Sequence, residues 1–480
     1  MIKHTHLAVA IATLFLSAEA VAADDDMHIL LKELSKQVAE LKSHAIQSDA
    51  RILELETTLE QEREQNKQLV AARPSPKVAT VTIPTNTTVA PESKKEVRPP
   101  VTLGDTKGTF KIPGTDTSLG FGGYVKMDVT ESSVSAGSNK AGDLYLFIPQ
   151  IPLSDRGENS QLAFNARESR FWLKSFTPSR WGDINTYLEL DLYGSADGYT
   201  PRLRHAYGTF GKLLTGQTWT TFVNELALPD TLDINGSVGT ATFRQPQVRW
   251  TQPFTVAGQS MEFQAAAEMP NSALYTGNWN QASPETLTNG GADRYPDMIV
   301  RLNYKPSWGN LSLAGMGRQI RISPTTTPLV ANINASQEVW GGAVSLAGKI
   351  NTFELDNFRF TVNYGNAFGR YSAVDRLEDA AVDAAGNLHQ VNIYSAVVAY
   401  QHWWDKAWRS TVAYGFEQAD QPDFVNQAMT KQAQSAHANL LWSPLSQATL
   451  GVEYIYGTRE LINGRSGYIS RAQLSAKYNF

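Results

Sequence analysis

Residues 466–480 read SGYISRAQLSAKYNF. One register collects Tyr468, Ser470, Ala472, Leu474, Ala476, Tyr478 and Phe480, and the other collects Ile469, Arg471, Gln473, Ser475, Lys477 and Asn479. A row of mostly apolar and aromatic side chains alternating with a mostly polar one is a repeat of two. That repeat belongs to a strand with unlike faces.

The segment is long for a half-buried strand, reaches the last residue and closes on an aromatic ring. In these respects it resembles the final strand of outer-membrane β-barrels, whose terminal Phe is recognised by the barrel-insertion machinery. Phe480 is the expected contact. Upstream, alternation recurs at 122–129, 161–176, 183–193, 202–210, 213–219, 242–251, 261–268, 296–305, 310–321, 339–349, 353–364, 391–402, 409–418, 433–442 and 449–459. With the terminal segment this predicts an all-β transmembrane barrel of about 16 antiparallel strands.

Connections alternate as well. Short ones fall at 179–182, 211–212, 307–309, 403–406 and 444–446, and long ones at 131–160, 220–241, 270–295, 322–338, 365–390 and 420–432. Short turns at one end and long loops at the other is the up-and-down barrel pattern.

The remaining sequence gives the order of domains. Residues 1–22 carry Lys3, an apolar core from Leu7 to Leu16 and Ala20-Val21-Ala22, which reads as a signal peptide too short to span a bilayer. After Asp24, Asp25 and Asp26, a solvated acidic lead, apolar residues adopt three-four spacing. Leu31, Val38, Ala45, Ile52, Leu59 and Asn66 share one heptad position; Leu34, Leu41, Ser48, Leu55, Glu62 and Leu69 share the other. An α-helical coiled coil over 23–72, roughly 65 Å long at 1.5 Å per residue, is expected on the periplasmic side. Ala45, Ser48, Glu62 and Asn66 weaken its seam. Residues 73–106 hold Pro74, Pro76, Pro84, Pro91, Pro99 and Pro100 and form an extended linker, with cell-wall contact as a further role. The barrel occupies 107–480.

Composition narrows the function. The chain has 480 residues, no cysteine and a net charge of −5, which loss of Lys3 and Glu19 leaves unchanged. That balance argues against nucleic-acid binding, and an exported chain without disulfides depends on closed hydrogen bonding.

Parity assigns two surfaces. Toward lipid stand Leu188, Leu190 and Leu192; Val300, Leu302 and Tyr304; Phe358, Phe360, Val362 and Tyr364; and Val452, Tyr454 and Tyr456. Inward on the same strands stand Glu189, Asp191, Asp297, Arg301, Asn303, Arg359, Asn363, Glu453 and Arg459. The reverse placement of an Arg or Lys near the midplane costs about 2–4 kcal/mol.

A polar interior in a barrel this wide leaves an aqueous channel, so transport is the expected function. Residues 220–241 are the third loop on the long-loop side once the connection 194–201 is counted after 131–160; by analogy with large porins it folds inward, with Glu225, Asp230 and Asp233 as an acidic rim of the constriction. Inward positions collect Arg170, Arg202, Arg204, Arg249, Arg301, Arg318, Arg359 and Arg471, and rows of guanidinium groups attract anions. Glu168, Glu189, Asp191, Glu262, Glu268, Glu417 and Glu453 also point inward, so mutual pairing is the competing reading.

Five stretches make the resemblance specific: 107–126 (KGTFKIPGTDTSLGFGGYVK), 166–171 (ARESRF), 202–208 (RLRHAYG), 216–219 (GQTW) and 243–249 (FRQPQVR). Together with the coiled coil and Pro-rich spacer they resemble the DcaP-like porins. The resemblance implies a homotrimeric passive channel for small anionic solutes such as dicarboxylates or aromatic carboxylates. Arg170, Arg202, Arg204 and Arg249 stand inside matching motifs as its pore arginines, whereas Arg301, Arg318, Arg359 and Arg471 rest on parity alone.

The alternatives are a general porin without solute preference and an envelope tether anchored by the barrel. Enzymatic activity is not expected. Ser435, His437 and Asn439 share a strand face, but no acidic partner or Gly-rich elbow accompanies them in sequence. His205, His389, His402 and His437 lack metal-ligand spacing, and no cofactor motif is present.

Overall fold

The computed structural model describes residues 102–135, 141–153, 159–195, 198–276, 288–289, 292–324, 335–372, 374 and 377–480. The expected signal peptide, the coiled coil and almost all of the linker lie outside them.

Sixteen antiparallel strands close into a barrel. In chain order they are β1 (Ser118–Val134), β2 (Asn159–Asn165 continued by Arg170–Thr177), β3 (Ile184–Asp191), β4 (Arg202–Phe210), β5 (Leu213–Trp219), β6 (Arg244–Val256), β7 (Gln259–Glu268) and β8 (Asp297–Lys305). Then follow β9 (Gly309–Ile322), β10 (Gln337–Asn351), β11 (Asn357–Gly365), β12 (Asn392–Trp403), β13 (Trp408–Asp420), β14 (Thr430–Leu445), β15 (Ala448–Leu461) and β16 (Ser466–Asn479). The sheet has 18 strand segments; counting the two parts of β2 once and setting aside the short arm Phe110–Lys111 leaves 18 − 2 = 16.

The terminal stretch closes the ring. β16 pairs with β1 from Tyr124↔Asn479 to Ser132↔Arg471, and Phe480 exchanges backbone hydrogen bonds with Gly123. Gly123 is required there, because a Cβ would lie 2.1 Å from the Arg170 carbonyl oxygen. Closure removes free sheet edges, so backbone groups within the membrane are paired.

The outward parity residues Leu188, Val300, Leu302, Val362, Tyr364, Val452, Tyr454 and Tyr456 are exposed, and Glu189, Asp191, Asp297, Asn303, Asn363 and Glu453 on the same strands are buried inside. Observed strands extend beyond the apolar patches that signalled them: β1 reaches Val134, and β13 and β14 leave only 421–429 between them. Ladder hydrogen bonds continue past the hydrophobic band, where the side chains are polar. Residues 352–356, assigned in part to a strand by sequence, instead form a turn closed by Asp356 N donating to Phe353 O at 2.7 Å.

Two irregularities matter for the interior. Four residues, 166–169, separate the halves of β2 while only three, 125–127, separate the matching positions of β1, and the extra residue lets Glu168 reach the lumen. On β4 the register shifts between Glu189↔His205 and Leu190↔Leu203, leaving Arg204 unpaired in the ladder. Such bulges re-aim side chains, and here both Arg204 and His205 are buried in the interior.

At the long-loop end, Ala273–Tyr275, Thr288–Asn289, Ala380–Val382 and Leu388–Gln390 form a small second sheet. Leu274, Ala380, Val382 and Leu388 pack against Ile320 and Ile322 of β9.

Candidate functional site

L3, residues 220–243, leaves β5 and runs inside the barrel. Short turns within it close on themselves, with Ala227 N donating to Asn224 O at 3.0 Å and Gly236 N to Asp233 O at 3.2 Å, and the wall supplies partners for further backbone groups. Thr221 N donates to Glu268 Oε1 at 2.6 Å, and Asn224 donates to Asn310 Oδ1 at 2.8 Å and Ser312 Oγ at 2.9 Å. Arg301 donates to Val223 O, and Arg359 Nη1 donates to Leu228 O at 2.5 Å. Asp230 accepts from Arg409 Nε and Gln401 Nε2, each at 2.8 Å.

The turn of L3 is held from three strands. Leu232 N donates to Glu453 Oε2 at 2.7 Å, and Leu232 O accepts from Lys126 Nζ at 2.7 Å and Gln473 Nε2 at 3.1 Å. Beyond it, Val238 N donates to Ser435 Oγ at 2.9 Å, while Gly239 O accepts from Ser395 Oγ at 3.0 Å and Asn363 Nδ2 at 3.2 Å. Gly239 has φ +83°, and a Cβ there would stand 2.6 Å from Phe416 O. Only glycine fits that approach.

Facing L3, strands β2–β6 bound a cavity of ≈940 Å³. Its walls carry Arg170, Arg202, Arg204, Arg244 and Arg249 with Tyr187, His205, Tyr207 and Trp219; L3 contributes Glu225 and Asp233, and residues 366–391 contribute Arg370. With Arg167, the lining holds seven arginines against three carboxylates, Glu189, Glu225 and Asp233, so its charge is positive.

Several arginines are paired. Arg202 grips Asp191 with two bonds, Nε to Oδ1 at 2.9 Å and Nη2 to Oδ2 at 2.6 Å. Arg204 reaches Glu189 at 2.7 Å and Asp191 at 2.9 Å, and Arg170 lies 3.6 Å from Glu189 and 3.8 Å from Glu168. Glu168 is also bonded by Lys126 at 2.6 Å. Arg244 and Arg249 differ: among the described residues neither has an ion-pair partner within 4 Å. Arg244 instead lies over the Trp219 ring, 4.4 Å from its centroid, a cation–π contact that leaves the guanidinium edge free for a ligand.

Of the expected arginines, the structure brings Arg170, Arg202, Arg204 and Arg249 to the cavity and places four elsewhere. Arg301 and Arg359 hold L3 carbonyls. Arg318 is fully buried between Asp297 at 3.3 Å and Asp379 at 2.8 Å, and Arg471 is buried with Nε donating to Ser132 Oγ at 2.8 Å. The acidic residues of L3 also separate: Glu225 and Asp233 line the cavity, whereas Asp230 is tied to Arg409 on β13. Burial raises the carboxyl pKa of Glu225 against the pull of Arg301 and Arg249, and raises that of Asp233 against Arg471 and His437.

Sequence reasoning missed Arg167, Arg244, Arg370 and the rings of His205, Tyr207 and Trp219. Arg244 lies inside the quoted 243–249 stretch but at the β6 terminus, where parity says nothing. His205 and Tyr207 escaped because the β4 bulge inverts parity after Arg204. One further expectation is corrected: Ser435, His437 and Asn439 do have an acidic neighbour, since Glu453 Oε1 lies 3.1 Å from His437 Nδ1 and Oε2 lies 2.9 Å from Asn439 Nδ2. Strand pairing of β14 with β15 supplies it. Ser435 accepts from L3, and the group is buried, so it anchors the loop.

The comparisons agree with this architecture. The profile of the DcaP outer membrane protein family matches residues 105–480. The crystal structure of the outer membrane channel DcaP of Acinetobacter baumannii superimposes with a TM-score of 0.62 at 21% identity, covering 77% of this chain and 99% of that one. The anion-selective porin from Comamonas acidovorans gives a TM-score of 0.46 at 10% identity, covering 76% of this chain and 100% of the other. A search of curated proteins finds no match. With its family profile matched over the whole barrel, the chain belongs to the DcaP outer membrane protein family and is an outer-membrane β-barrel of the porin fold.

Proposed function

We propose that the protein is a passive diffusion channel for small anionic solutes, dicarboxylates or aromatic carboxylates, through an arginine-lined pore narrowed by L3. The supporting observation is the excess of arginine on the cavity, with Arg244 and Arg249 free of carboxylate partners. A carboxylate entering between them and L3 finds planar donors that suit two parallel hydrogen bonds, and rings that suit a flat solute face. Glu225 and Asp233 on L3 set the opposite side of the eyelet.

The protein assembles as a homotrimer through the outer faces of β1–β5. On the strands there, Phe121, Val125, Met127, Leu162, Phe164, Phe171, Leu173, Leu188, Leu203 and Leu213 stand without an outward Tyr or Trp, and among the described residues only Trp181 and Tyr199 are exposed in the connections, whereas from β6 onward Trp250, Trp340, Tyr364, Tyr400, Tyr414, Trp442, Tyr454 and Tyr468 are exposed on the strands themselves. Aromatic girdles mark surfaces that meet lipid headgroups, and their gap suits protein contact.

Reconstitution in a planar bilayer tests the channel. Anion selectivity in the reversal potential across a salt gradient, with current interruptions on adding a four-carbon dicarboxylate, is expected. Conductance without ion preference identifies a general porin, and absence of conductance favours envelope tethering.

A further inference from the structure

The outer surface of β8–β10 carries an open groove of ≈690 Å³ that the pore does not use, lined by Met298, Val300, Gly315, Gly317, Gly342 and Val344. In register, Gly317 lies between Met298 and Gly342, and Gly315 lies between Val300 and Val344. Glycine weakens a strand and ordinarily marks a bulge, a bend or a close approach by another group. No bulge is present, because β9 and β10 pair without a register shift from Gly309↔Ile350 to Ile322↔Gln337. At Gly342 the fold itself needs the space, since a Cβ would stand 3.0 Å from Met316 O, but at Gly315 and Gly317 it does not. A Cβ at Gly317 would meet no atom within 4 Å, and one at Gly315 would meet only Val300 Cγ2 at 3.8 Å. On the inner face the case is opposite: a Cβ at Gly341 would come within 2.7 Å of Ala367.

What approaches Gly315 and Gly317 is therefore outside the chain. The groove lies near the long-loop ends of its strands, which is the outer leaflet. Two aromatic pairs flank it there, Tyr295 with Trp340 at 5.6 Å and Tyr364 with Tyr394 at 5.9 Å. These are girdle positions, so the sector faces lipid. Above Gly317 on the same strand, Gln319 Oε1 accepts from Arg294 N at 2.9 Å. The Arg294 side chain is exposed, with no ion-pair partner within 4 Å among the described residues. Glu338 at that rim is already bonded by Gln319 at 2.7 Å and lies 3.9 Å from Arg321.

We propose that this groove holds one acyl chain of a phosphorylated outer-leaflet lipid, with its phosphate on Arg294. Lipid tails are as apolar as leucine, so retention depends on close packing, and a glycine floor lets the chain lie against the backbone. The cation supplies charge complementarity at headgroup height.

Native mass spectrometry of the full mature protein titrated with hexa-acylated lipid A tests this. Wild type and Ala438→Trp, an equally bulky change on lipid-facing β14, are expected to retain lipid A at ratios where Gly317→Trp retains none. Arg294→Gln is expected to retain it no better than an uncharged diacylglycerol of the same chain length. Unchanged conductance verifies folding, and Gly315→Leu serves as a second filling variant if Gly317→Trp does not fold. Retention by the filled variants equal to wild type overturns the proposal. So does loss of the oligomer in Gly317→Trp, which would make the groove a contact with a second copy.

Discussion

Strands β2–β6 and strands β11–β16 present the same alternation of polar and apolar residues, yet their inward side chains meet different fates. On β2–β6 they face the cavity, and Arg244 and Arg249 keep unpaired guanidinium groups. On β11–β16 they face a loop: Arg359, Gln401, Arg409, Asn439, Glu453 and Gln473 each bond L3. Inward position is thus insufficient to place a side chain on the cavity. The wall that L3 covers holds the loop, and the wall it leaves open lines the cavity.

The contrast breaks most severely at Glu453. Its carboxylate accepts from Leu232 N, Asp233 N at 3.3 Å, His437 and Asn439. Glu453→Ala strands these buried partners, and removing one member of a buried charged group costs about 3–5 kcal/mol. Urea titration in lipid vesicles is expected to show that loss. Single-channel recording is expected to show a larger, noisier conductance as L3 loosens.

A second test separates the walls by selectivity. Arg249→Ala and Arg244→Ala are expected to lower the anion-to-cation permeability ratio several-fold, since each removes a lumen cation without a paired carboxylate. Arg359→Ala, which removes a cation bonded to Leu228 O, is expected to leave the ratio close to wild type. Equal effects from the two sets would erase the distinction.

The smallest effect is a pH dependence at Glu225. Burial raises its pKa, so on acidification it takes up a proton before an exposed Glu would, at about 4.3. Neutralising this L3 carboxylate makes the cavity more positive, and anion preference should rise as pH falls through that window. The linked stability has the same sign: the folded state binds the proton more tightly, so Glu225 stabilises the protein at low pH and loses that contribution as pH rises through its folded pKa. Glu225→Gln is expected to flatten the selectivity curve in reversal potentials measured from neutral to acid pH.

Particular residues show how far the sequence could be read. Leu188 and Glu189, or Val452 and Glu453, alternate locally, and their faces follow from that alone. Arg204 and His205 are adjacent yet both point inward, because one extra residue on β4 inverts the alternation. Asp230 looked equivalent to Glu225 and Asp233, but a contact with Arg409 removes it from the cavity. The acid beside His437 was likewise invisible until β15 lay against β14.

By itself, the sequence determined the sixteen strands, the alternation of short turns with long loops, and which rows face lipid, because the repeat of two is a property of neighbouring residues and charge is excluded from hydrocarbon. Only the tertiary structure decided which inward arginines line the cavity. That outcome depends on where L3 lies and where strand register slips, and both are set by contacts between residues far apart in the chain, such as Leu232 with Glu453.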